Sequence, residues 1–246
     1  MSRSPRCRDR QRLLFAAAVA VALLCAPACV GRHRSAGLNA DSAAGAQARR
    51  VPPRILVFGD SLALGTGASD PARGFTFLLY RDIRATNRNA RITNYAAGGS
   101  KVSDVLNYQV PRAADEEVTD VWLCVGANDV TRSTPPERFA ADENRLLMAV
   151  HRRWPKAALV VFGVPDVSRS PLFSGQSRAV FKTLASEDDR AARAAAMKVH
   201  AVFVDLFVLG ARADAAHDFA RDNFHPNDRG YAGIARYART VMQKAQ

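Results

Sequence analysis

The sequence predicts a three-layer α/β domain built on a parallel sheet of five strands. Short apolar runs alternate along the chain with longer stretches of helical periodicity, and Gly, Asn or Asp bounds each run. Strands buried on both faces give such runs, and helical crossovers between them make the sheet parallel. The 246 residues, 48% hydrophobic and 24% charged, suffice for one such core and exclude a disordered or coiled-coil chain.

The predicted strands, in order, are residues 54–59, 91–96, 118–125, 157–163 and 201–207. The predicted helices are residues 75–86, 102–114, 135–154, 186–198 and 228–246. Two helices carry start signals: Thr134 precedes Pro135 and Glu137, and Ser186 stands three residues before Asp189. Residues 165–185 are the one long irregular stretch, either a wall of a substrate pocket or a surface loop with a short helix.

The N-terminal segment is typical of an export signal. Five arginines precede residues 13–30, which carry no charge and include Ala26, Pro27 and Ala28. A basic region, an apolar region and an Ala-x-Ala site predict a signal peptide over 1–28, followed by a flexible linker over 29–50 and the folded domain over 51–246. An uncleaved membrane anchor is the alternative, and Cys29 allows attachment of a lipid. We therefore expect a secreted or cell-envelope protein, with membrane or cell-wall association left open.

The distribution of charge, the cysteine positions and the missing cofactor motifs limit the ligands and disulfides that the sequence predicts. The net charge of +12 includes the five arginines of the export segment, and the other arginines are scattered without a recognition motif, which argues against nucleic-acid binding. Cys124 lies inside an apolar run and is expected to be buried, so no disulfide framework is predicted. Because the chain has no phosphate loop, complete dinucleotide motif or metal-ligand spacing, we expect no cofactor and no metal.

Polar groups follow several of the predicted strands at their carboxyl ends, where open α/β sheets place their sites. They supply a hydroxyl, a glycine turn, a carboxamide, a carboxylate and an imidazole: Ser61, Gly98 and Gly99, Asn128, Asp222 and His225. Each has an ordinary structural explanation, such as a helix N-cap for Ser61. Their joint placement favours nucleophilic acyl transfer.

A second histidine competes with His225 for the role of base. His217 shares its loop and has Asp214 and Asp218 as neighbours in sequence. We favour His225 because Asp222 can orient its ring and Pro226 restricts the backbone.

The same stretches resemble the SGNH hydrolases, also called GDSL esterases and lipases, over residues 54–231. The matching blocks are Gly59-Asp60-Ser61-Leu62, Asn94 to Gly99, Gly126-Ala127-Asn128-Asp129, and Asp222 to His225. The resemblance implies a flavodoxin-like fold, Ser61 as nucleophile, His225 as general base and Asp222 as the group that orients it. It also implies an oxyanion hole from the N–H groups of Ser61 and Gly99 and the amide of Asn128. Counting from Asn94 favours Gly99 over Gly98 as the donor.

The leading functional hypothesis is an exported serine esterase that hydrolyses esters of short or medium acyl groups, from a small molecule or the envelope, through an acyl-serine intermediate. A carbohydrate O-deacylase or O-acyltransferase of the envelope is an alternative with the same groups. A non-catalytic protein that binds envelope polymers is a third.

Overall fold

The computed structural model describes residues 51–114 and 117–245. The predicted signal peptide, the linker over 29–50 and Cys29 lie outside these residues. Within the described part, no helix has the length and apolar character needed to cross a bilayer.

The sheet has five parallel strands, which confirms the predicted fold class. They are β1 (Arg54–Gly59), β2 (Arg91–Asn94), β3 (Asp120–Cys124), β4 (Ala158–Phe162) and β5 (Val202–Val204), in the order β2-β1-β3-β4-β5. The order reverses between β1 and β3, and at such a point the carboxyl ends of the strands open a crevice.

Helices cover both faces of the sheet. They are α1 (Ser61–Leu64), α2 (Phe75–Thr86), α3 (Val102–Asp104), α4 (Ala127–Thr131), α5 (Pro136–Arg153), α6 (Gly175–Lys198), α7 (Leu206–Gly210) and α8 (Asp228–Lys244). Alternate strand residues separate into two cores: Phe58 and Leu123 pack with residues of α5 and α6, whereas Val57 and Trp122 pack with residues of α2 and α8. The period of two along each strand produces this division.

The prediction that every strand is buried on both faces is wrong for the two at the edges. β2 alternates exposed and half-buried residues, and β5 is mostly half-buried. β5 is also shorter than predicted, because Asp205 accepts a hydrogen bond from the N–H of Val208 at 2.8 Å and thereby starts α7. The helical layers bury the side chains of β1, β3 and β4 most fully, which leaves those of the two edge strands nearer to solvent.

Three helix predictions need correction. The stretch predicted as one helix over 102–114 divides into α3, a π-helical turn (Val105–Gln109) and a 3₁₀ turn (Val110–Arg112). α5 begins at Pro136 rather than Pro135, with no side-chain cap from Thr134. α6 begins at Gly175, so Ser186 is inside the helix and half of the stretch predicted to be irregular is helical. Its alanine-rich sequence sustains the long helix.

Candidate active site

The backbone at the end of β1 places Ser61 at the first turn of α1. Gly59 has φ +152°, and a Cβ there would lie 1.9 Å from the carbonyl oxygen of Cys124, so only glycine fits between β1 and β3. The next N–H, of Asp60, donates to that carbonyl at 3.1 Å. The Asp60 carboxylate caps α1 by accepting from the N–H of Leu62 at 2.9 Å. The turn that carries Ser61 is therefore held by one hydrogen bond from the residue before it and one from the residue after it.

The structure brings Ser61, His225 and Asp222 into one chain of hydrogen bonds. Nε2 of His225 lies 2.8 Å from Oγ of Ser61, and Nδ1 lies 2.6 Å from Oδ2 of Asp222. The other Asp222 oxygen accepts from the N–H groups of Phe224 and His225, at 2.9 and 3.0 Å. Partial burial raises the pKa of the Asp222 carboxyl, but these hydrogen bonds outweigh it and the net shift is downward. An ionised Asp222 favours the tautomer that leaves Nε2 free to accept a proton.

The loop that carries His225 is held by Asn227 and by a close approach to Gly67. The Asn227 amide donates to the carbonyl oxygens of His217 and Phe219, at 2.7 and 3.0 Å, while its oxygen caps α8. A Cβ at Gly67, where φ is +96°, would lie 2.7 Å from Cβ of His225. The sequence analysis gave Gly67 no role, and its position six residues after Ser61 was the available signal.

His217, the competing histidine, does not join this chain. Its Nδ1 lies 2.8 Å from Oδ2 of Asp214, and its side chain is 64% exposed against 18% for His225. Asp218, the other candidate partner, pairs instead with Arg229 at 3.2 Å.

The three predicted oxyanion donors lie on segments that follow β1, β2 and β3. No described residue accepts from the N–H of Ser61 or of Gly99. The left-handed φ of +81° falls on Gly99, whereas a Cβ at Gly98 would meet nothing within 4 Å. The Asn128 amide nitrogen lies 3.1 Å from the carbonyl oxygen of Ser100 and 3.4 Å from Oδ2 of Asp60. The long second contact leaves that amide proton available to a better acceptor.

Gln109 ties these segments together, and sequence reasoning missed it. Its side chain accepts from the N–H of Gly59 at 2.9 Å and donates to the Gly59 carbonyl at 2.8 Å. The same amide nitrogen lies 3.0 Å from Oγ of Ser100. Gln109 is buried and ends the π-helical turn, a distortion that is frequent at functional sites. A polar residue in a predicted helix gave no signal for this role.

Two buried carboxyls support the same region. Burial raises the pKa of Asp60 to about 7, and the charge of Asp129 acts in the same direction, against the hydrogen bonds from Leu62 and Asn128. Asp129 accepts from the N–H of Val102 at 3.0 Å, and burial raises its pKa as well. A partly protonated Asp60 places less negative charge beside Asn128 than an ionised one would.

A cavity of about 290 Å³ opens beside Ser61 and His225. Apolar side chains line much of it: Leu62, Val167, Leu206, Leu209, Phe219, Phe224 and Ile234. Five residues from the first part of the stretch 165–185 line the cavity: Pro165, Asp166, Val167, Arg169 and Ser170. Phe173 contacts Phe224, whose ring contacts that of His225. In the described part of the chain, no group of His, Cys, Asp and Glu has the arrangement of a metal site.

The family to which the chain belongs follows from the sequence match. The model of the GDSL-like Lipase/Acylhydrolase family matches residues 57–232, which include Ser61, Gly99, Asn128, Asp222 and His225. The chain belongs to this family. It is accordingly a carboxylic ester hydrolase of the GDSL type, and the predicted family and enzyme class are confirmed.

Solved structures share the fold at low sequence identity. An extracellular lipase from Streptomyces rimosus is 20% identical with a TM-score of 0.58, over 77% of this chain and 99% of that one. A GDSL-family lipolytic protein from Veillonella parvula is 20% identical with a TM-score of 0.60, over 78% and 98%. The esterase EstA from Pseudoalteromonas is 18% identical with a TM-score of 0.61, over 78% and 97%. No curated protein sequence matches the chain.

Proposed function

We propose that this GDSL hydrolase cleaves carboxylic esters of short or medium acyl groups through an acyl-serine intermediate on Ser61. The observation that carries the proposal is the unbroken chain from Ser61 Oγ through the His225 ring to Asp222, with both contacts under 3 Å. A serine hydroxyl needs an adjacent base to become a nucleophile, and the base needs a fixed tautomer.

In the first step, Oγ of Ser61 attacks the ester carbonyl carbon while Nε2 of His225 takes the hydroxyl proton. The carbonyl oxygen becomes an oxyanion, for which the N–H groups of Ser61 and Gly99 and the amide of Asn128 are the candidate donors. Collapse breaks the bond to the alcohol, which leaves with the proton from His225. Water then attacks the acyl-serine, with the same imidazole as base, and releases the acid and free Ser61.

The preference for short or medium acyl groups is supported by the size and lining of the cavity. Its volume of about 290 Å³ lies just below the range typical of ligand pockets, about 300 to 1,000 Å³. Leu206, Leu209 and Ile234 offer apolar surface to an acyl chain.

A fluorophosphonate probe tests the nucleophile. We expect the wild type to be labelled and p-nitrophenyl esters from acetate to octanoate to be hydrolysed faster than palmitate. Ser61→Ala should lose both label and turnover, whereas Ser177→Ala, an exposed serine on α6, should retain both. Labelling that persists in Ser61→Ala would refute the proposal.

We further propose that the enzyme acts outside the cytoplasm, supported by the arginine-rich and apolar pattern over residues 1–28. Expression with an epitope at the C-terminus, followed by fractionation and mass spectrometry, tests this. A chain that begins near Cys29 in the envelope or medium is expected. Full-length chain confined to the cytoplasm would contradict it.

A further inference from the structure

The cavity beside Ser61 carries more positive than negative charge. Four arginines line it, Arg169, Arg212, Arg229 and Arg236, against two carboxylates, Asp166 and Asp218. The arginines come from separate elements: Arg169 from a 3₁₀ turn after β4, Arg212 from the segment after α7, and the other two from α8. Positive charge therefore reaches the cavity from three parts of the fold.

Local pairing leaves most of this charge uncompensated. Arg229 is paired, with its Nε 3.2 Å from Asp218 and a second contact to Asp214 at 3.6 Å. Asp166 is buried and accepts from the hydroxyl and N–H of Ser168, at 2.5 and 3.2 Å. Within residues 51–114 and 117–245, the remaining three arginines make no ion pair.

An apolar lining combined with unpaired guanidinium groups favours a particular class of ligand. A guanidinium recognises carboxylate and phosphate through two parallel hydrogen bonds, and charge-assisted bonds are stronger than neutral ones. A concave surface with apolar walls also concentrates the field of its charges. Arg169, Arg212 and Arg236 are exposed at the rim of the cavity, so water solvates them in the free enzyme, and no carboxylate of the described residues competes with an anionic ligand for them.

We propose that this pocket binds esters that also carry an anionic group, either a carboxylate or a phosphate, joined to a short apolar segment. This inference rests on the proposed function. Arg169, Arg212 and Arg236 hold the anion, while Leu206, Leu209 and Ile234 contact the apolar segment. The ester carbonyl then lies at Ser61, next to the same cavity.

Two matched substrate pairs test the proposal and separate the sources of the anion. The first pair is p-nitrophenyl hydrogen glutarate and p-nitrophenyl methyl glutarate, which differ by one acyl carboxylate. The second is 1-hexanoylglycerol 3-phosphate and 1-hexanoylglycerol, which differ by a phosphate on the alcohol side. At low salt, kcat/KM for the anionic member of at least one pair should be about tenfold higher, and rising ionic strength should reduce this ratio.

Substitution of the three pocket arginines tests whether they cause the preference for anionic over neutral esters. Arg169→Gln, Arg212→Gln and Arg236→Gln should each lower the ratio of anionic to neutral kcat/KM, and the triple variant should lower it about tenfold, mainly through KM. Arg88→Gln, an exposed arginine outside the pocket, is the control and should leave the ratio unchanged. If the triple variant does not fold, competitive inhibition by free glutarate, measured on the single variants, gives the same comparison.

The outcomes distinguish the two proposals. Equal or lower kcat/KM for both anionic esters in the wild type, or a ratio that the triple variant preserves, would overturn the anionic-substrate proposal while Ser61 is still labelled. Absence of labelling and of all ester turnover would instead overturn the proposed function.

Discussion

Ser61 and Asn128 follow buried strands in the middle of the sheet, whereas His225 and Asp222 lie on a loop whose aspartate side chain is 46% exposed. The first half of the site is held by buried contacts over long sequence separations, such as that from Gln109 to Gly59. The second half is held by local hydrogen bonds and by Asn227 at the start of α8. The comparison teaches that the position of the proposed nucleophile, Ser61, is fixed by the sheet, while the position of the proposed base, His225, depends on the hydrogen bonds of its loop.

After the loss of Ser61 itself, removal of Asn128 is expected to have the largest effect. Asn128→Ala deletes one proposed oxyanion donor, which should lower kcat about a hundredfold with little change in KM, because such a hydrogen bond strengthens in the transition state. Steady-state kinetics on p-nitrophenyl butyrate measures this. A changed KM with unchanged kcat would show that Asn128 only binds substrate.

Crowding the base loop should have the next largest effect. In Gly67→Ala the new Cβ would lie 2.7 Å from Cβ of His225 and from the carbonyl oxygen of Pro226, at a φ that disfavours alanine. Displacement of the ring should lower kcat on the order of thirtyfold. Gly98→Ala, which meets nothing within 4 Å, should stay near the wild type. Equal activities of the two variants would refute the role given to Gly67.

Loss of Gln109 should weaken the contacts that hold the end of β1, next to Ser61. Gln109→Leu leaves the N–H and carbonyl of Gly59 without their buried partner, so we expect kcat to fall roughly tenfold and the free energy of unfolding to fall by about 1–3 kcal/mol. Chemical denaturation and kinetics on one preparation measure both. Gln176→Leu, on the exposed surface of α6, should change neither.

The smallest effect on catalysis is expected in the core between the sheet and helices α5 and α6, where the prediction concerns the pH dependence of stability. Burial raises the pKa values of Glu143 and Asp188 to about 8, and oxygens of both carboxyls have no hydrogen-bond partner among the residues that the structure describes. The native state therefore binds protons that the unfolded state has released, so the free energy of unfolding should decrease as pH rises from about 5 to about 8. Asp188→Asn should flatten this slope, measured by urea denaturation at several pH values. An unchanged slope would contradict the assignment.

Particular residues show how far sequence reasoning reaches. Ser61, Asn128 and His225 could be placed because each follows a strand or a recognisable block, and parallel strands end at one edge. The sequence also favoured His225 over His217 and Gly99 over Gly98, but only the coordinates show the loop geometry behind these choices, with His217 beside Asp214 and the left-handed φ at Gly99. α6 was predicted too short because Ser186 and Asp189 imitate a start signal inside a longer helix.

By itself the sequence determined the layered α/β class, which polar residues follow each strand, and the chemical groups available at the candidate site. Periodicity and turn residues act locally, so a local pattern is enough to reveal them. Only the tertiary structure decided that Gln109 holds Gly59, that Gly67 makes room for His225 and that three unpaired arginines share one cavity. These contacts join residues far apart in the chain, so nothing in the local pattern could reveal them.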